Sequence, residues 1–475
     1  MGYCSSSWIQ ILILIPLLIL LPTVLLLSLS PSSPSPLTST SATLRLSPRR
    51  RPPGTAALSA SAAAPAKRLA NPAPENKLEA ELSRARASIR RAAAGAAGGL
   101  GRTNFSGLLS RPSVYRNAAA FYQSYSEMER RFRVYVYSEG EAPLVHTGPC
   151  KNIYTTEGRF ISELELMRPG EYSGAGEANI LRTEDPRRAH AFFLPFSVTQ
   201  LVRYVYRPNT FDQTPIRRFV SDYVDVVASK HPYWNRTAAA DHFMLSCHDW
   251  GPHASRANAL LYGNAIRALC NANTSEGFRP RKDVSIPEIN LVTGDMPPEF
   301  ISPPPPESSP RSLLAFFAGG VHGPVRPVLL RYWKGRDPDL EVHEYLPPGS
   351  DDYYSYMRRA RFCLCPSGYE VASPRVVEAI YAGCIPVIIS TGYVLPFSDV
   401  LKWEEFSVKV AVEDIPRLKE VLRRVADEEV MRLMAGVRAV RHHFILNHPP
   451  KRFDALYMIL HSVWLRRLNI KVAQV

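Results

Sequence analysis

From residue 130 onward, short apolar runs alternate with segments of helical periodicity, and this alternation limits the possible fold more than any other feature. Three buried strands are predicted in the first half of this region and four in the second: FRVYVY (132–137), AHAFFLPF (189–196), DHFMLSC (241–247), SLLAFFA (312–318), LEVHEYL (340–346), FCLCP (362–366) and CIPVIIS (384–390). Intervening segments such as ANALLYGNAIRALC (257–270) are predicted to be helices. Strands that alternate with helices indicate an α/β fold with parallel sheets covered on both faces.

A proline-rich stretch, ISPPPPESSP (301–310), interrupts this pattern and predicts a linker between two domains. The domains are placed at residues 130–300 and 311–440. The segment 441–475 contains the amphipathic sequence FDALYMILHSVWLRRL and is predicted to pack back on the first domain. Two such domains form a cleft between the carboxyl ends of their strands, where ligands bind in α/β proteins.

The amino-terminal region has a different character. Residues 8–29 contain no charged side chain and would span roughly 33 Å as a helix, which is enough to cross a bilayer. We therefore predict a cytosolic tail (1–7), a transmembrane signal-anchor (8–29) and a Ser/Pro/Ala-rich stalk (30–110). A cleaved signal peptide is the alternative. Sequons at Asn104, Asn235 and Asn273 predict N-glycosylation and favour a luminal body.

The formal net charge of +14 is unevenly distributed. Residues 45–100 hold 11 Lys or Arg residues against 3 Asp or Glu residues, whereas the 375 residues after them hold 46 against 40. Most of the excess lies in the predicted stalk. A folded nucleic-acid-binding surface is therefore not indicated.

Six of the seven cysteines follow the predicted anchor, and sequence alone leaves their pairing open among 15 full combinations. Cys363 and Cys365 lie two apart on a predicted strand, so their side chains share one face. No second Cys/His pair lies nearby at zinc-binding spacing, which favours disulfide partners or buried apolar thiols over a metal site.

The segment SPRVVE (373–378) carries the first candidate binding residues. Ser373 and Pro374 are typical of a helix start, which would place Arg375 and Glu378 at the carboxyl edge of the preceding strand. An arginine there can neutralise a diphosphate, and a carboxylate can accept hydrogen bonds from ribose hydroxyls. An ordinary Arg–Glu surface pair is the alternative.

A second strand–turn–helix unit, FFAGGVHGPVRPVLLRYW (316–333), repeats this arrangement. Gly319 and Gly320 would let the backbone approach a diphosphate, and Arg326 lies in the first helical turn. The Gly-Lys-Ser/Thr ending of a P-loop is missing. Two such units in one sheet predict a site for a nucleotide diphosphate.

These two segments resemble the exostosin-like glycosyltransferases, family 47, in their plant cell-wall branch. So do LPFSDVLKWEEFSV, SCHDWGPHAS, LCNANTSEGF and NHPPKRFDALYMILHSVWLRRL, and the resemblance extends from about Phe132 to the carboxyl terminus. It implies a GT-B fold with two Rossmann-like domains facing a cleft. It also implies a single-pass type II Golgi membrane enzyme that transfers a sugar, with inversion, from a nucleotide sugar to a polysaccharide.

The resemblance further implies that the second domain binds the UDP-sugar donor. The predicted donor site comprises Gly319, Gly320, Arg326, Ser367, Ser373, Arg375 and Glu378. An inverting transfer also needs a general base. Asp249 is the first choice and His248 the second, because both follow the strand DHFML at its carboxyl end. An Asp that caps a turn beside a packed His is the alternative interpretation.

No metal or other cofactor is expected. Asp337 and Asp339 form an Asp-x-Asp, but Pro338 separates them and they precede a strand, so a loop is favoured. Pectin and hemicellulose side chains both suit the expected acceptor, and the donor sugar is left open, as is a complex with other glycosyltransferases. The rival functions are a non-catalytic subunit of a polysaccharide synthase complex and a carbohydrate hydrolase with two close carboxylates.

Overall fold

The computed structural model describes residues 74–97, 111–167, 181–301, 311–349 and 352–470. Its first sheet has five parallel strands in sequential order: β1 (Val134–Val136), β2 (Ala191–Phe193), β3 (His242–Ser246), β4 (Ile266–Leu269) and β5 (Val284–Ser285). Successive side chains of β2 point to opposite faces, so Phe192 and Phe193 belong to separate apolar clusters. Both faces of the sheet are therefore covered, as the near-continuous apolar runs predict.

The second sheet is also parallel, but its strands are not in sequential order. It contains β6 (Leu313–Ala318), β7 (Leu340–His343), β8 (Ala360–Pro366), β9 (Ile385–Ile389) and β10 (Val408–Lys409). The order across the sheet is β10-β9-β8-β6-β7. Because the chain leaves β6 towards β7 and then returns to the other side at β8, the loops after β6 and β8 diverge and leave a crevice. The predicted α/β class with parallel sheets is confirmed.

Fifteen α-helices occur within the described residues: α1 (Pro74–Ala97), α2 (Ala118–Arg131), α3 (Thr155–Leu166), α4 (Val198–Tyr204), α5 (Thr214–Lys230), α6 (Pro232–Arg236), α7 (Gly251–Ser255), α8 (Ala259–Gly263), α9 (Pro298–Ile301), α10 (Val325–Trp333), α11 (Tyr353–Arg359), α12 (Arg375–Tyr381), α13 (Leu418–Arg423), α14 (Asp427–Val440) and α15 (Ala455–Asn469). Helices α10 and α12 correspond to the helices predicted in the two strand–turn–helix units. Each begins or ends within a few residues of its predicted boundary.

Helices from both ends of the described chain pack near the first sheet. Helix α15 contacts β4 and β5, and Arg466 Nε donates to the carbonyl oxygen of Asp283 at 3.0 Å. Helix α1 lies within the predicted stalk, yet Leu82 and Ala85 are fully buried, and Arg86 Nε donates to the carbonyl oxygen of Leu468 at 2.5 Å. Because its apolar side chains find a surface, this part of the stalk segment belongs to the folded body.

The prediction of one helix over residues 257–270 was wrong. Helix α8 ends at Gly263, and the same stretch continues as β4. Short apolar runs suit a buried strand as well as a helix, and the Gly-Asn pair in the middle permits a chain reversal. Here β4 is paired with β3 on one side and β5 on the other, and that pairing decides its conformation.

Two disulfides lie in the two sheet regions. Cys247 bonds to Cys270, which joins the ends of β3 and β4, and Cys363 of β8 bonds to Cys384. Cys365 is a buried free thiol, and burial raises its pKa to about 12. Cys363 and Cys365 are therefore not partners of each other, although they lie on one face of β8.

No helix among the described residues is both long and apolar enough to cross a membrane. The predicted tail (1–7), the predicted span (8–29) and Asn104 lie outside the described residues. Asn235 is exposed on α6. Asn273 is only 8% exposed and its Nδ2 donates to Glu276 at 2.8 Å, so its nitrogen is already engaged in the folded protein.

Candidate active site

The candidate site lies at the crevice between β6 and β8. The loops that follow these strands touch each other: a Cβ added to Gly323, whose φ is +67°, would lie 1.8 Å from the carbonyl oxygen of Gly368. Only glycine permits this approach and this conformation. The tertiary fold therefore brings the two glycine- and arginine-bearing segments together, although about forty residues separate them in the sequence.

Two arginines line this crevice. Arg375 is buried at the start of α12, where its Nη2 donates to the carbonyl oxygen of Ala318 at 2.9 Å and its guanidinium lies 4.8 Å from the Phe317 ring centre. Arg326, in the first turn of α10, donates through Nη1 to the carbonyl oxygen of Gly320 at 3.4 Å. Burial and the charge of Arg375 lower the pKa of Arg326 to about 10.

Neither Arg326 nor Arg375 forms an ion pair with any residue that the structure describes. The Nε atoms of both are buried without a hydrogen-bond partner there. Burial disfavours the charge of Arg375, but Tyr353 and the charge of Glu378 raise its pKa, whereas the two guanidinium groups, which lie close together, repel each other. The pocket is therefore built for an anion with several oxygens, such as a diphosphate, which both guanidinium groups can neutralise.

Gly319 has a role that differs from its prediction. A Cβ at this position would lie 2.6 Å from Nη2 of Arg375, so glycine makes room for the arginine. At Gly320 a Cβ would lie 3.2 Å from Nε2 of His322 and 3.4 Å from the hydroxyl of Tyr345, close to side chains that can move. Gly319 thus makes room for the Arg375 side chain, whereas a larger residue at Gly320 would meet only the side chains of His322 and Tyr345.

Ser373 and Ser367 are both buried in the loop after β8. The Ser373 hydroxyl accepts from the backbone N–H of Arg375 at 3.4 Å and from its Nη1 at 3.3 Å, so it orients the arginine. The backbone N–H of Ser367 donates to the carbonyl oxygen of Ile389 at 3.0 Å. Helix α12 begins at Arg375 and spans only seven residues, so the anion site depends on the guanidinium groups and not on the helix dipole.

Glu378 lies three residues after Arg375, but the two do not form a surface ion pair. Its buried carboxylate accepts from Tyr353 at 3.2 Å, from Tyr354 at 3.4 Å and from Asn290 Nδ2 at 3.3 Å. Asn290 follows the first sheet in the chain, whereas the two tyrosines belong to α11. These three donors hold the carboxylate in place and leave it lone pairs for further donors, such as sugar hydroxyls.

Asp249 follows β3 on the opposite side of the cleft. Its Oδ1 accepts from the hydroxyl of Tyr154 at 3.3 Å, and its backbone carbonyl accepts from Asn271 Nδ2 at 3.1 Å. Burial raises the pKa of the Asp249 carboxyl, and the nearby charge of Glu276 adds to the rise. A carboxylate whose pKa is moved towards neutrality is a stronger base than an ordinary aspartate.

His248 is less suited to take a proton. Burial lowers the pKa of its imidazole to about 4, so the ring is neutral at physiological pH. Its Nδ1 lies 3.0 Å from the backbone nitrogen of Trp250 and accepts that N–H. This assigns the ring proton to Nε2, which is then a donor and not a base.

Glu288 was missed by the sequence analysis. It follows β5, is only 6% exposed, and its carboxyl group forms no hydrogen bond with a described residue. Burial and the charges of Asp249 and Glu378 raise its pKa well above the usual range for glutamate. The available signal was a carboxylate at the carboxyl end of a strand, but β5 has only two residues and was not recognised.

Glu157 was also missed, and it has a positioning role. Its fully buried carboxylate accepts from Ser197 Oγ and from the backbone N–H groups of Thr199 (3.0 Å), Cys247 (2.8 Å) and His248 (3.4 Å). A charged group that is buried needs such donors. Glu157 therefore fixes the loops after β2 and β3 relative to each other.

A further contact crosses the cleft. Nδ2 of Asn271, after β4, lies 2.5 Å from Glu370 Oε2 and 3.1 Å from Glu276 Oε2. Glu370 belongs to the loop after β8, which also carries Ser367 and Ser373. Burial and the charge of Glu276 raise the pKa of Glu370 to about 8, so this carboxyl holds its proton at neutral pH.

The Asp-x-Asp residues lie elsewhere. Asp337 and Asp339 form ion pairs with Lys419 Nζ at 2.5 Å and 3.0 Å, and Asp339 also pairs with Arg423 at 2.7 Å. Within the described ranges, no group of three or more His, Cys, Asp or Glu side chains is arranged to hold a metal ion.

Comparison with known proteins gives a consistent family assignment. Residues 128–425 match the Exostosin GT47 domain. The chain is 55% identical over 397 residues to a probable glycosyltransferase of Arabidopsis thaliana, covering 84% of this chain and 79% of that protein. It is 31% identical over 305 residues to the probable beta-1,4-xylosyltransferase IRX10 of the same plant, covering 60% of this chain and 71% of that protein.

Among solved structures, the crystal structure of Anabaena HepE in complex with UDP and glucose aligns with 69% of this chain and 97% of its own. The TM-score of this alignment is 0.32 and the sequence identity is 10%.

Proposed function

Because the chain belongs to the exostosin GT47 family of glycosyltransferases, we propose that it transfers a sugar from a UDP-sugar to a plant cell-wall polysaccharide, with inversion. The observation that carries the proposal is a pair of cations in one crevice, the half-buried Arg326 and the buried Arg375, which form no ion pair with a described residue and lie near the well-held carboxylate of Glu378. We propose a GT-B architecture, with the second sheet as the donor side.

In the proposed reaction, Arg326 and Arg375 hold the diphosphate, and Glu378 accepts hydrogen bonds from the ribose. Asp249 takes the proton of the acceptor hydroxyl as its oxygen forms a bond with the anomeric carbon. The bond between that carbon and the diphosphate oxygen breaks on the other side, and its electron pair leaves with UDP. The two guanidinium groups stabilise the negative charge that develops on the leaving diphosphate.

Glu288 is the second carboxyl group on the acceptor side. Burial and the charges of Asp249 and Glu378 raise its pKa well above the usual range for glutamate, which favours the protonated form and suits a hydrogen-bond donor to a substrate oxygen more than a base. Asp249 is assigned as the base, because it accepts a hydrogen bond from Tyr154 and its pKa is raised by only one neighbouring carboxylate, Glu276. No step of this scheme requires a metal ion.

We further propose that residues 8–29 anchor the protein in the Golgi membrane as a type II protein with a luminal body, and that Asn104 and Asn235 carry glycans. Asn273 is not included, because its side chain is buried. Pectin and hemicellulose side chains both suit the proposed acceptor, and xylose, galactose, arabinose and glucuronic acid all suit the UDP-linked sugar.

The test uses the full chain purified in detergent. UDP release is measured with a panel of UDP-sugars, with and without oligosaccharide acceptors, and with EDTA in one arm. Donor-selective transfer that survives EDTA, nearly disappears in Asp249→Asn and weakens in Glu378→Gln supports the proposal. Folded protein that fails to bind UDP contradicts it, and release of sugars from a polysaccharide without any nucleotide would indicate a hydrolase.

A further inference from the structure

A strip of aromatic and arginine side chains continues outward from the candidate base. It consists of Tyr204, Tyr206, Phe211 and Trp250 together with Arg203 and Arg207, and we call it the acceptor strip. Helix α4 and the loop between α4 and α5 supply all of it except Trp250, which follows Asp249 directly. Sequence analysis gave this segment no role.

The start of α4 is connected by hydrogen bonds, through Glu157, to the loop after β3. Ser197, the N-cap of α4, donates to Glu157, the same carboxylate that accepts from the backbone N–H groups of Cys247 and His248. The loops after β2 and β3 are thus joined through one buried group. The acceptor strip therefore begins beside Asp249 and extends from there to the surface.

The rings form a continuous row. Tyr154, which donates to Asp249, lies 4.9 Å from the ring of His248, and His248 lies 5.5 Å from Trp250. Trp250 in turn meets the ring of Tyr206 at 4.8 Å, with the two planes at 83°. Such contacts stabilise the rings relative to one another and leave their outer faces for a ligand.

The outer end of the strip shows aromatic side chains to solvent. Phe211 is 86% exposed and Tyr204 is 56% exposed. Phe211 adopts a φ of +54°, which is unfavourable for a bulky residue, and its backbone N–H donates to the hydroxyl of Tyr206 at 3.0 Å. Packing does not explain the exposed ring, whereas a flat apolar face of this kind suits the C–H face of a pyranose ring.

The charge of this region indicates which kind of sugar. Residues 198–218 contain four arginines and one aspartate. Arg203, Arg207 and Arg217 are exposed and form no ion pair with a described residue, while the Asp212 carboxylate accepts from the backbone N–H of Thr214 at 2.9 Å. The Arg203 guanidinium lies 5.4 Å from the Tyr204 ring centre, and Arg207 contributes to lowering the pKa of Asp212. Solvent-exposed guanidinium groups beside aromatic rings favour a glycan that carries carboxylates.

We propose that the acceptor strip binds the acceptor glycan and that this glycan contains uronic acid residues. This deepens the proposed function and rests on it, because the strip leads to the carboxylate assigned as the base. The aromatic faces stack on the pyranose rings, and Arg203 and Arg207 pair with the uronate carboxylates. The acceptor hydroxyl is thereby directed to Asp249.

The experiment measures glycan binding by the full chain in detergent, without any donor, by isothermal titration. The probes are oligogalacturonides and xylo-oligosaccharides of equal length. We expect tighter binding of the oligogalacturonide, and weaker binding as salt is raised. Arg203→Gln with Arg207→Gln should reduce its affinity by at least about fivefold, and Phe211→Ala by about the same factor. Both changes affect exposed side chains, so the fold should be kept.

Arg331→Gln and Tyr332→Ala serve as the matched control, since both residues are exposed on α10 in the other sheet region. Equal oligogalacturonide affinity in the strip variants and the control would overturn the proposal. So would preferred binding of the neutral glycan with no dependence on the arginines. UDP binding is measured in the same samples: its absence from a protein that still binds oligogalacturonide through the strip would contradict the proposed function and not this inference.

Discussion

The two walls of the cleft have opposite chemistry. On the wall formed by the second sheet, Arg326 and Arg375 are two neighbouring cations that form no ion pair with a described residue. On the wall formed by the first sheet, burial and Glu276 raise the pKa of Asp249, and burial together with the charges of Asp249 and Glu378 raises the pKa of Glu288. The first arrangement suits an anion that arrives with a ligand. The second arrangement suits the transfer of a proton. We therefore propose that the cationic wall binds the anionic ligand and that the carboxyl wall takes part in the reaction.

The largest expected effect is on the carboxyl wall. Asp249→Asn keeps the hydrogen bond from Tyr154 but removes the base, so kcat should fall about 10²–10⁴-fold. The affinity for UDP should stay unchanged, because no donor-side contact is altered. Steady-state kinetics and isothermal titration with UDP measure the two quantities.

Glu288→Gln is the matched variant for this prediction, since Gln keeps the size and polarity of a protonated glutamate. It should lower kcat less than Asp249→Asn does. A larger loss in Glu288→Gln would assign the base to Glu288 and leave Asp249 with a positioning role.

The next largest effect is expected on the cationic wall. Arg326→Ala removes one of the two charges that would hold the diphosphate, so UDP should bind about 10–100-fold more weakly. Binding of uridine, which has no phosphate, should be nearly unaffected. A parallel loss for UDP and uridine would show that the variant disturbs the pocket as a whole, against the assigned phosphate contact.

Glu378→Gln should have a smaller effect, about a tenfold loss in UDP affinity, because a charged hydrogen-bond acceptor is replaced by a neutral one. Binding of 2′-deoxy-UDP and UDP is compared in the wild type and the variant. The advantage of UDP over its deoxy form should shrink in Glu378→Gln. Tyr354→Phe, which removes one of the three donors to this carboxylate, is the milder control. An unchanged advantage would place the ribose elsewhere.

The smallest effect concerns Glu370, which links the two walls through Asn271. Its pKa is raised to about 8 by burial and by Glu276, so the folded protein binds this proton more tightly than the unfolded chain does. The stabilisation is fully present below the unfolded value near 4.5 and is lost as pH rises through about 8. Because the group is partly exposed, we expect a change in Tm of at most about 2 °C.

Thermal unfolding of the wild type and Glu370→Gln between about pH 5 and pH 9 tests this prediction. Glutamine cannot ionise, so the variant should lose less stability at the alkaline end. Glu428→Gln, at an exposed position on α14, is the control. The same pH slope in all three proteins would contradict the assigned role of Glu370.

Much of this protein can be predicted from local sequence. The seven predicted strands are all present, since most buried parallel strands appear as nearly continuous apolar runs. Arg326, Arg375 and Glu378 were found because each follows a strand in a recognisable strand–turn–helix unit. Residues 257–270 and the two-residue β5 were not found, because short segments take their conformation from the strands beside them.

The sequence by itself determined the α/β class, the family and the two arginines of the proposed donor side, because these depend on short-range periodicity and on motifs that are continuous in the chain. Only the tertiary structure decided the partners of the cysteines, the docking of α1, and the place of Glu288 near Asp249 and Glu378. The physical reason is that pairing, burial and pKa depend on which distant segments meet. The contact between the loops after β6 and β8, at Gly323 and Gly368, likewise depends on the order of the strands in the sheet. No local sequence pattern specifies that order.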